Sequence, residues 1–146
     1  MNLKYFAVMA VALCAALHTA NAADKVEAGP RGGRILERTT PKAEFYVEKD
    51  RTVSIHFYDS AGKPVTPLAQ TASVIAETKS GKVKLEFERK GDALVSKAEM
   101  PEGDGYKLVV QLRQSAEAKP QNFRFIYEAH TCSGCKLAEY ACSCHD

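Results

Sequence analysis

The stretch "TVSIHFY", residues 52–58, decides the fold class of this chain. Apolar side chains at every second position, Val53, Ile55 and Phe57, alternate with more polar neighbours. Successive side chains of a β-strand point to opposite faces, so this alternation predicts a strand with one face in a core and the other towards solvent.

The same type of segment recurs along most of the chain. In "VKLEFER", residues 83–89, the pattern predicts that Val83, Leu85 and Phe87 point inward. The other strand-like segments are residues 43–47, 71–77, 93–100, 106–113 and 122–129. Turn-forming residues separate them, and no amphipathic helix pattern lies between them. This organisation predicts an all-β, antiparallel immunoglobulin-like sandwich over residues 34–128, with a small barrel as the alternative.

The first 22 residues have the features of a secretory signal peptide. Lys4 precedes an apolar run over residues 5–17, and the small residues "ANA" at 20–22 form an A-x-A cleavage site. The run is short for a membrane span, and Leu13 before Cys14 is atypical of a lipoprotein signal, so no membrane anchor is expected. We therefore expect cleavage after Ala22, a periplasmic or secreted location, and a polar leader over residues 23–33.

Composition excludes several classes of function. The chain has 20 basic and 18 acidic residues, a formal net charge of +2, which gives no electrostatic basis for binding nucleic acid or an anionic membrane. No serine, histidine or cysteine stands in a recognisable nucleophile motif, so we expect a protein that is not an enzyme. His56, on the polar face of its strand, is expected to be solvated, and "GPRGG" at 29–33 is expected to form a turn.

The segment 129–146 concentrates the residues that could bind a metal. It contains Cys132, Cys135, Cys142 and Cys144, flanked by His130 and His145. A C-x2-C pair and a C-x-C pair lie six residues apart and can converge if "KLAEYA" turns back. Soft thiolate ligands select copper(I) or zinc(II), and four sulfurs complete a tetrahedral shell. We expect a metal-binding tail, appended to the sandwich, with the two histidines as further candidate ligands.

Two other interpretations of the four cysteines stay open. An oxidising compartment permits two disulfides, which would make the chain a structural sandwich with a disulfide-knotted tail. Such bonds would close only short loops within the tail, where the gain in stability is small. Alternatively, Cys132 and Cys135 have the spacing of a thiol–disulfide redox motif, and a helix beginning near Ser133 would lower the pKa of a thiol.

The N-terminal half of the mature chain also carries a family resemblance. The G-P-x-G-G start at Gly29–Gly33, the strand "AEFYV" and the strand and turn "FYDSAGKPV" resemble small exported β-domains associated with heavy-metal efflux systems. A related segment occurs in periplasmic adaptor subunits of such pumps, and the tail "CSGCKLAEYACSCH" looks like the end of members of that group. The resemblance implies periplasmic metal handling, with a heavy-metal efflux complex as the partner.

Overall fold

The fold was analysed in a computed structural model, which describes residues 25–37 and 40–144. The expected signal peptide and His145 lie outside the described residues. The strands are β1 (Arg34–Glu37), β2 (Lys42–Val47), β3 (Val53–Tyr58), β4 (Pro64–Val65), β5 (Thr71–Thr78), β6 (Gly81–Lys90), β7 (Ala93–Ser96), β8 (Tyr106–Arg113) and β9 (Gln121–Tyr127). A single turn of 3-10 helix, Glu139–Ala141, follows them. Within the described ranges no helix is both long and apolar enough to cross a membrane.

The strands form one antiparallel path that is nearly closed into a barrel. Their order is β1-β2-β3-β7-β6-β5-β8-β9, and β4 pairs with β3 beside this path. The long strand β6 pairs with two neighbours in turn. Its first part, Gly81–Glu86, pairs with β5, and its second part, from Phe87 to Lys90, pairs with β7. The predicted all-β, antiparallel architecture is confirmed, whereas the immunoglobulin-like sandwich is not.

Alternation along the strands builds the core as expected. Every second residue of β8 from Tyr106 to Leu112 is buried, and so are Val53, Ile55 and Phe57 of β3. In β3, however, Ser54 and Tyr58 on the other face are buried too, so the solvent-facing side predicted for this strand is not formed. Val83 differs from the prediction, because 39% of it is exposed. It pairs with Ala76 near the Thr78–Gly81 end of the β5–β6 hairpin, where β6 is exposed until Leu85.

The cysteine-containing segment is part of the barrel rather than an appendix to it. Tyr140 is buried in the main apolar core, with its ring centroid 5.8 Å from that of Phe45 in β2 and 6.5 Å from that of Phe125 in β9. Its hydroxyl accepts a hydrogen bond from the Val47 amide at 3.1 Å, and its own amide donates to the Glu128 carbonyl at 3.0 Å. Tyr140 thus joins β2 to the end of β9, across the gap that the strands leave open.

A buried carboxylate fixes the entry to β1. Glu44 is fully buried and accepts hydrogen bonds from the amides of Arg31 (3.0 Å) and Gly33 (2.8 Å) and from the Tyr58 hydroxyl (2.6 Å). Burial, followed by this hydrogen bond, raises the pKa of Tyr58, so its hydroxyl stays protonated and donates. The segment "GPRGG" is the turn expected from the sequence, and it also supplies the donors that compensate a buried charge.

Removing the Tyr140 ring is expected to destabilise the whole barrel. Tyr140→Ala should lower the free energy of unfolding by about 3 kcal/mol or more, because it empties a large volume between two core strands. Tyr140→Phe keeps the ring and removes only the bond to Val47, so its cost should be about 1 kcal/mol. Urea unfolding followed by circular dichroism measures both. Equal, small losses of unfolding free energy in the two variants would mean that the barrel is stable without the Tyr140 ring.

The Gly33 position should tolerate no side chain. A Cβ at residue 33 would lie 2.3 Å from the Phe45 carbonyl oxygen, a backbone atom that cannot move aside freely. Gly33→Ala should therefore cost about 3 kcal/mol of stability through overpacking. Gly62→Ala is the control: it has open space but a φ of 77°, so only about 1 kcal/mol of backbone strain is expected. Thermal melts that rank the two variants in the opposite order would contradict this account of the turn.

Candidate metal centre

The C-x2-C pair lies in a tight hairpin turn. Thr131 and Ala138 form a β-bridge, the Cys132 amide donates to the Leu137 carbonyl at 2.8 Å, and the Lys136 amide donates back to the Cys132 carbonyl at 3.0 Å. The helix considered for this segment is therefore not formed from Ser133. A hairpin instead folds Cys132 and Cys135 towards one another, with their sulfurs on the same side.

Lys136 closes this turn in an unusual backbone conformation. Its φ is 65°, in the left-handed region that glycine adopts most readily, and its ammonium group donates to the Ser133 carbonyl at 2.8 Å. This side-chain bond spans the turn between the two cysteines. It offers a local compensation for a backbone geometry that costs a non-glycine residue about 1 kcal/mol or more.

The 3-10 helix returns the chain to the same place. The Cys142 amide donates to the Glu139 carbonyl at 3.0 Å, and the Glu139 amide donates to the His130 carbonyl at 2.9 Å. Because Tyr140 is held in the core, the residues that follow it emerge at a fixed position next to the hairpin. Cys142 and Cys144 are thereby brought against the C-x2-C turn.

All four sulfurs converge on one point. Their Sγ atoms lie within 4.8 Å of one another, with 3.1 Å between Cys132 and Cys142 and 3.3 Å between Cys135 and Cys142. These distances are far longer than a disulfide bond of about 2.05 Å, and the four residues are free thiols. A tetrahedron with zinc–sulfur bonds of about 2.3 Å has an edge of about 3.8 Å, which is compatible with four sulfurs that all lie within 4.8 Å of one another. The arrangement can therefore hold a soft metal ion.

Backbone amides make the C-x2-C thiols acidic. The Leu137 amide, followed by the Cys142 thiol, lowers the pKa of Cys135 to about 7. The Cys135 amide, with help from the Cys142 thiol, lowers the pKa of Cys132. Hydrogen bonds to a sulfur stabilise its thiolate form, which is the form that ligates a metal.

The C-x-C thiols hold their protons more tightly. The hydrogen bond with Cys132 raises the pKa of Cys142, and the hydrogen bond with Cys135 raises that of Cys144. The Cys144 amide donates to Cys142 Sγ at 3.3 Å. The four thiols thus form one hydrogen-bonded network, in which the hairpin pair is the more acidic.

Neither His130 nor His56 is grouped with the four cysteines. His130 is exposed and is not among the grouped ligands; its Nδ1 lies 3.4 Å from Asp104 Oδ2 and its Nε2 lies 4.0 Å from Glu139 Oε2. His145 lies outside the described residues. His56, expected to be solvated, is half-buried, and its Nε2 lies 3.1 Å from Ser54 Oγ.

The glycine-rich turn supports the site from the other side, which sequence reasoning missed. Gly32 lies so close to Leu137 that a Cβ at residue 32 would be 3.1 Å from Leu137 Cδ2. The turn that binds Glu44 therefore also packs against the residue whose amide acidifies Cys135. No spacing in the sequence indicates this contact, because the two segments are about a hundred residues apart.

Comparison of the chain with protein-family models, with curated proteins and with solved structures found no match. The four clustered thiols and the elements that position them are the features of the described residues that indicate a function. Tyr140 on one side and the Gly32–Leu137 contact on the other hold this cluster to the barrel.

Thiol reactivity tests the proton distribution in the cluster. In reduced, metal-free protein, iodoacetamide should modify Cys135 first at pH 7, because a lowered pKa means that its thiolate is present above about pH 7 and is lost below it. Cys142 should react much more slowly, since it is buried and its pKa is raised. Mass spectrometry of partially alkylated protein between pH 6 and 9 gives both rates. Modification of Cys142 as fast as Cys135 would contradict the assignment.

Proposed function

We propose that this chain is an exported protein that binds a soft metal ion, copper(I) or zinc(II), through four thiolates. The observation that supports the proposal is the convergence of Cys132, Cys135, Cys142 and Cys144 within 4.8 Å without a disulfide. Four such ligands in one place, with amide donors on their sulfurs, are the requirements of a thiolate metal site.

Of the two metals, we propose zinc(II) first. Zinc sites that use four cysteines are tetrahedral and closed, and the four sulfurs here lie within 4.8 Å of one another. Copper(I) prefers the same soft ligands and is the second candidate. In this proposal His130 is a neighbour of the site, because only the four cysteines are grouped as ligands among the described residues.

The rival functions make different use of the same sulfurs. Cys142 Sγ is near both Cys132 and Cys135, so a disulfide knot would have to pair it with one of them and leave the other for Cys144. A thiol–disulfide redox protein would use the acidic Cys135, although the helix that commonly supports such a thiol is absent from residues 131–138. A thiol count and a metal analysis separate these rivals from metal binding.

The cellular setting is part of the proposal. The signal-like residues 1–22 support export, and the resemblance of Gly29–Gly33 and the cysteine tail to efflux-associated domains supports a heavy-metal efflux complex as the recipient of the ion. In this role the chain binds and passes on metal and catalyses no reaction.

Serine substitutions test the metal site. Each of Cys132→Ser, Cys135→Ser, Cys142→Ser and Cys144→Ser removes one soft ligand and should weaken zinc binding by more than about 100-fold, beyond the effect of losing a supporting hydrogen bond. The parent, purified from a periplasmic extract under reducing conditions, should contain about one metal per chain by elemental analysis. Ser133→Ala, in the same turn but exposed, is the matched control and should keep parental affinity.

The rival functions predict other outcomes of this experiment. Parent protein without metal and without free thiols would favour the disulfide knot. Metal binding that is unaffected by Cys142→Ser and Cys144→Ser would refute the four-thiolate site and leave only the C-x2-C pair.

A further inference from the structure

The four thiols differ sharply in their exposure to solvent. Cys132 and Cys142 are 3% and 6% exposed, Cys135 is half-buried and Cys144 is exposed. A metal bound among them would be shielded on the barrel side by the first three sulfurs. Cys144 would form the outer side of the site.

The four thiols also differ in how they are held. Cys142 Sγ is in contact with both Cys132 Sγ and Cys135 Sγ, and Tyr140, two residues before Cys142, is tied to the end of β9 through the Glu128 carbonyl. Cys144 lies beyond Cys142 near the end of the described chain, and its amide bonds to Cys142 Sγ. Three sulfurs thus form a fixed base, and the fourth closes it from the solvent side.

Gly134 provides the space that Cys144 occupies. A Cβ at residue 134 would lie 3.2 Å from Cys144 Sγ but 3.8 Å from Cys132 Sγ, an ordinary van der Waals distance. Residue 134 is not in the left-handed region, so alanine is compatible with its backbone. Substitution there displaces Cys144 selectively and leaves all four thiols in the protein.

We infer that Cys144 is the exchangeable ligand of the site, through which the metal passes to a cysteine thiol of an acceptor protein. The inference rests on the proposed metal-binding function. As the acceptor's sulfur–metal bond forms, the bond between the metal and Cys144 breaks, and the proton of the incoming thiol passes to the departing Cys144 sulfur. No electrons are transferred, and the metal stays coordinated by sulfur throughout.

The exchange begins at Cys144 because this thiol is the exposed one of the four. An acceptor thiol that replaced Cys132 or Cys142 would have to enter a region from which solvent is almost excluded. Replacement of Cys144 requires no opening of the barrel or of the hairpin. After the first exchange the metal is held by two molecules, and transfer is completed as further acceptor thiols replace the remaining three.

Rescue by a small thiol tests this inference. Cobalt(II) is used in place of zinc(II), because its thiolate charge-transfer absorption reports the number of bound sulfurs. In Cys144→Ala, 2-mercaptoethanol should restore the absorption lost with the side chain, because the thiol can enter from solvent. In Cys142→Ala, the matched variant at a buried position, the same concentration should restore little.

A second variant keeps every thiol and therefore does not depend on rescue. Gly134→Ala should still bind one zinc per chain, but it should release the zinc to an excess of 2-mercaptoethanol about tenfold faster than the parent, a change typical of disturbed ligand support. Ser133→Ala, one residue earlier, should release it at the parental rate. A zinc indicator added after rapid removal of the protein measures the transfer.

The outcomes separate this inference from the function on which it rests. A parent chain that binds neither zinc(II) nor copper(I) refutes the proposed function itself. A parent chain that binds metal, together with equal rescue of both alanine variants or no rescue of Cys144→Ala, refutes Cys144 as the exchangeable ligand. A parental release rate in Gly134→Ala, with all four thiols intact, overturns the inference as well.

Discussion

The burial of Tyr140 is the constraint on which both the fold and the candidate metal centre depend. Its ring packs against Phe45 of β2 and Phe125 of β9, and its carbonyl accepts a hydrogen bond from Arg34 of β1 at 3.2 Å. An incomplete barrel would expose apolar side chains along this gap, and a buried aromatic ring removes a large apolar area from water. Since Cys142 is only two residues further on, closing the barrel also positions half of the cluster.

Barrel and cluster are therefore coupled in free energy. The hairpin containing Cys132 and Cys135 packs on the turn at Gly32, which in turn binds the buried carboxylate of Glu44. A ligand that binds only the folded arrangement stabilises it by mass action, and a metal bound by four thiolates would do so at this junction. The connection works in both directions, because loosening the glycine-rich turn would move Leu137, whose amide acidifies Cys135.

Alternation along the strands allowed the all-β, antiparallel architecture to be predicted from the sequence, but not the arrangement of the strands. The pattern at residues 106–113 follows from the geometry of one strand with a core on one side, so burial there was predictable. In residues 52–58 the inward face was predictable, but the burial of Ser54 and Tyr58 on the other face was not. The order of the strands could not be predicted, because a sandwich and a barrel place the same alternating residues inward. The division of β6 between two neighbours, and with it the exposure of Val83, depends on partners far away in sequence.

The candidate ligands of the site could be predicted from the sequence, but the residues that hold them in place could not. Thiolate spacing identified the four cysteines, since two close pairs can reach one ion whatever the path between them. No sequence pattern indicated that Tyr140 is buried, because a single aromatic residue in a short polar segment has no periodicity. Glu44 was also missed: a carboxylate in a strand is normally exposed, and only the tertiary contact with residues 31–33 makes its burial tolerable.

The position of the cysteines after the last strand has a physical consequence for how such a site can work. Thiols at inward-facing positions of the strands would be enclosed, and these ligands could exchange only if the barrel opened. Here the segment 130–142 is tied to the end of β9 by the Tyr140 amide, which donates to the Glu128 carbonyl, and the Glu139 amide, which donates to the His130 carbonyl, holds the segment together. Beyond that attachment the chain is no longer covered, and Cys144 is exposed. Rigid support and an open outer ligand thus arise from one feature, a core tyrosine placed just before the last two cysteines.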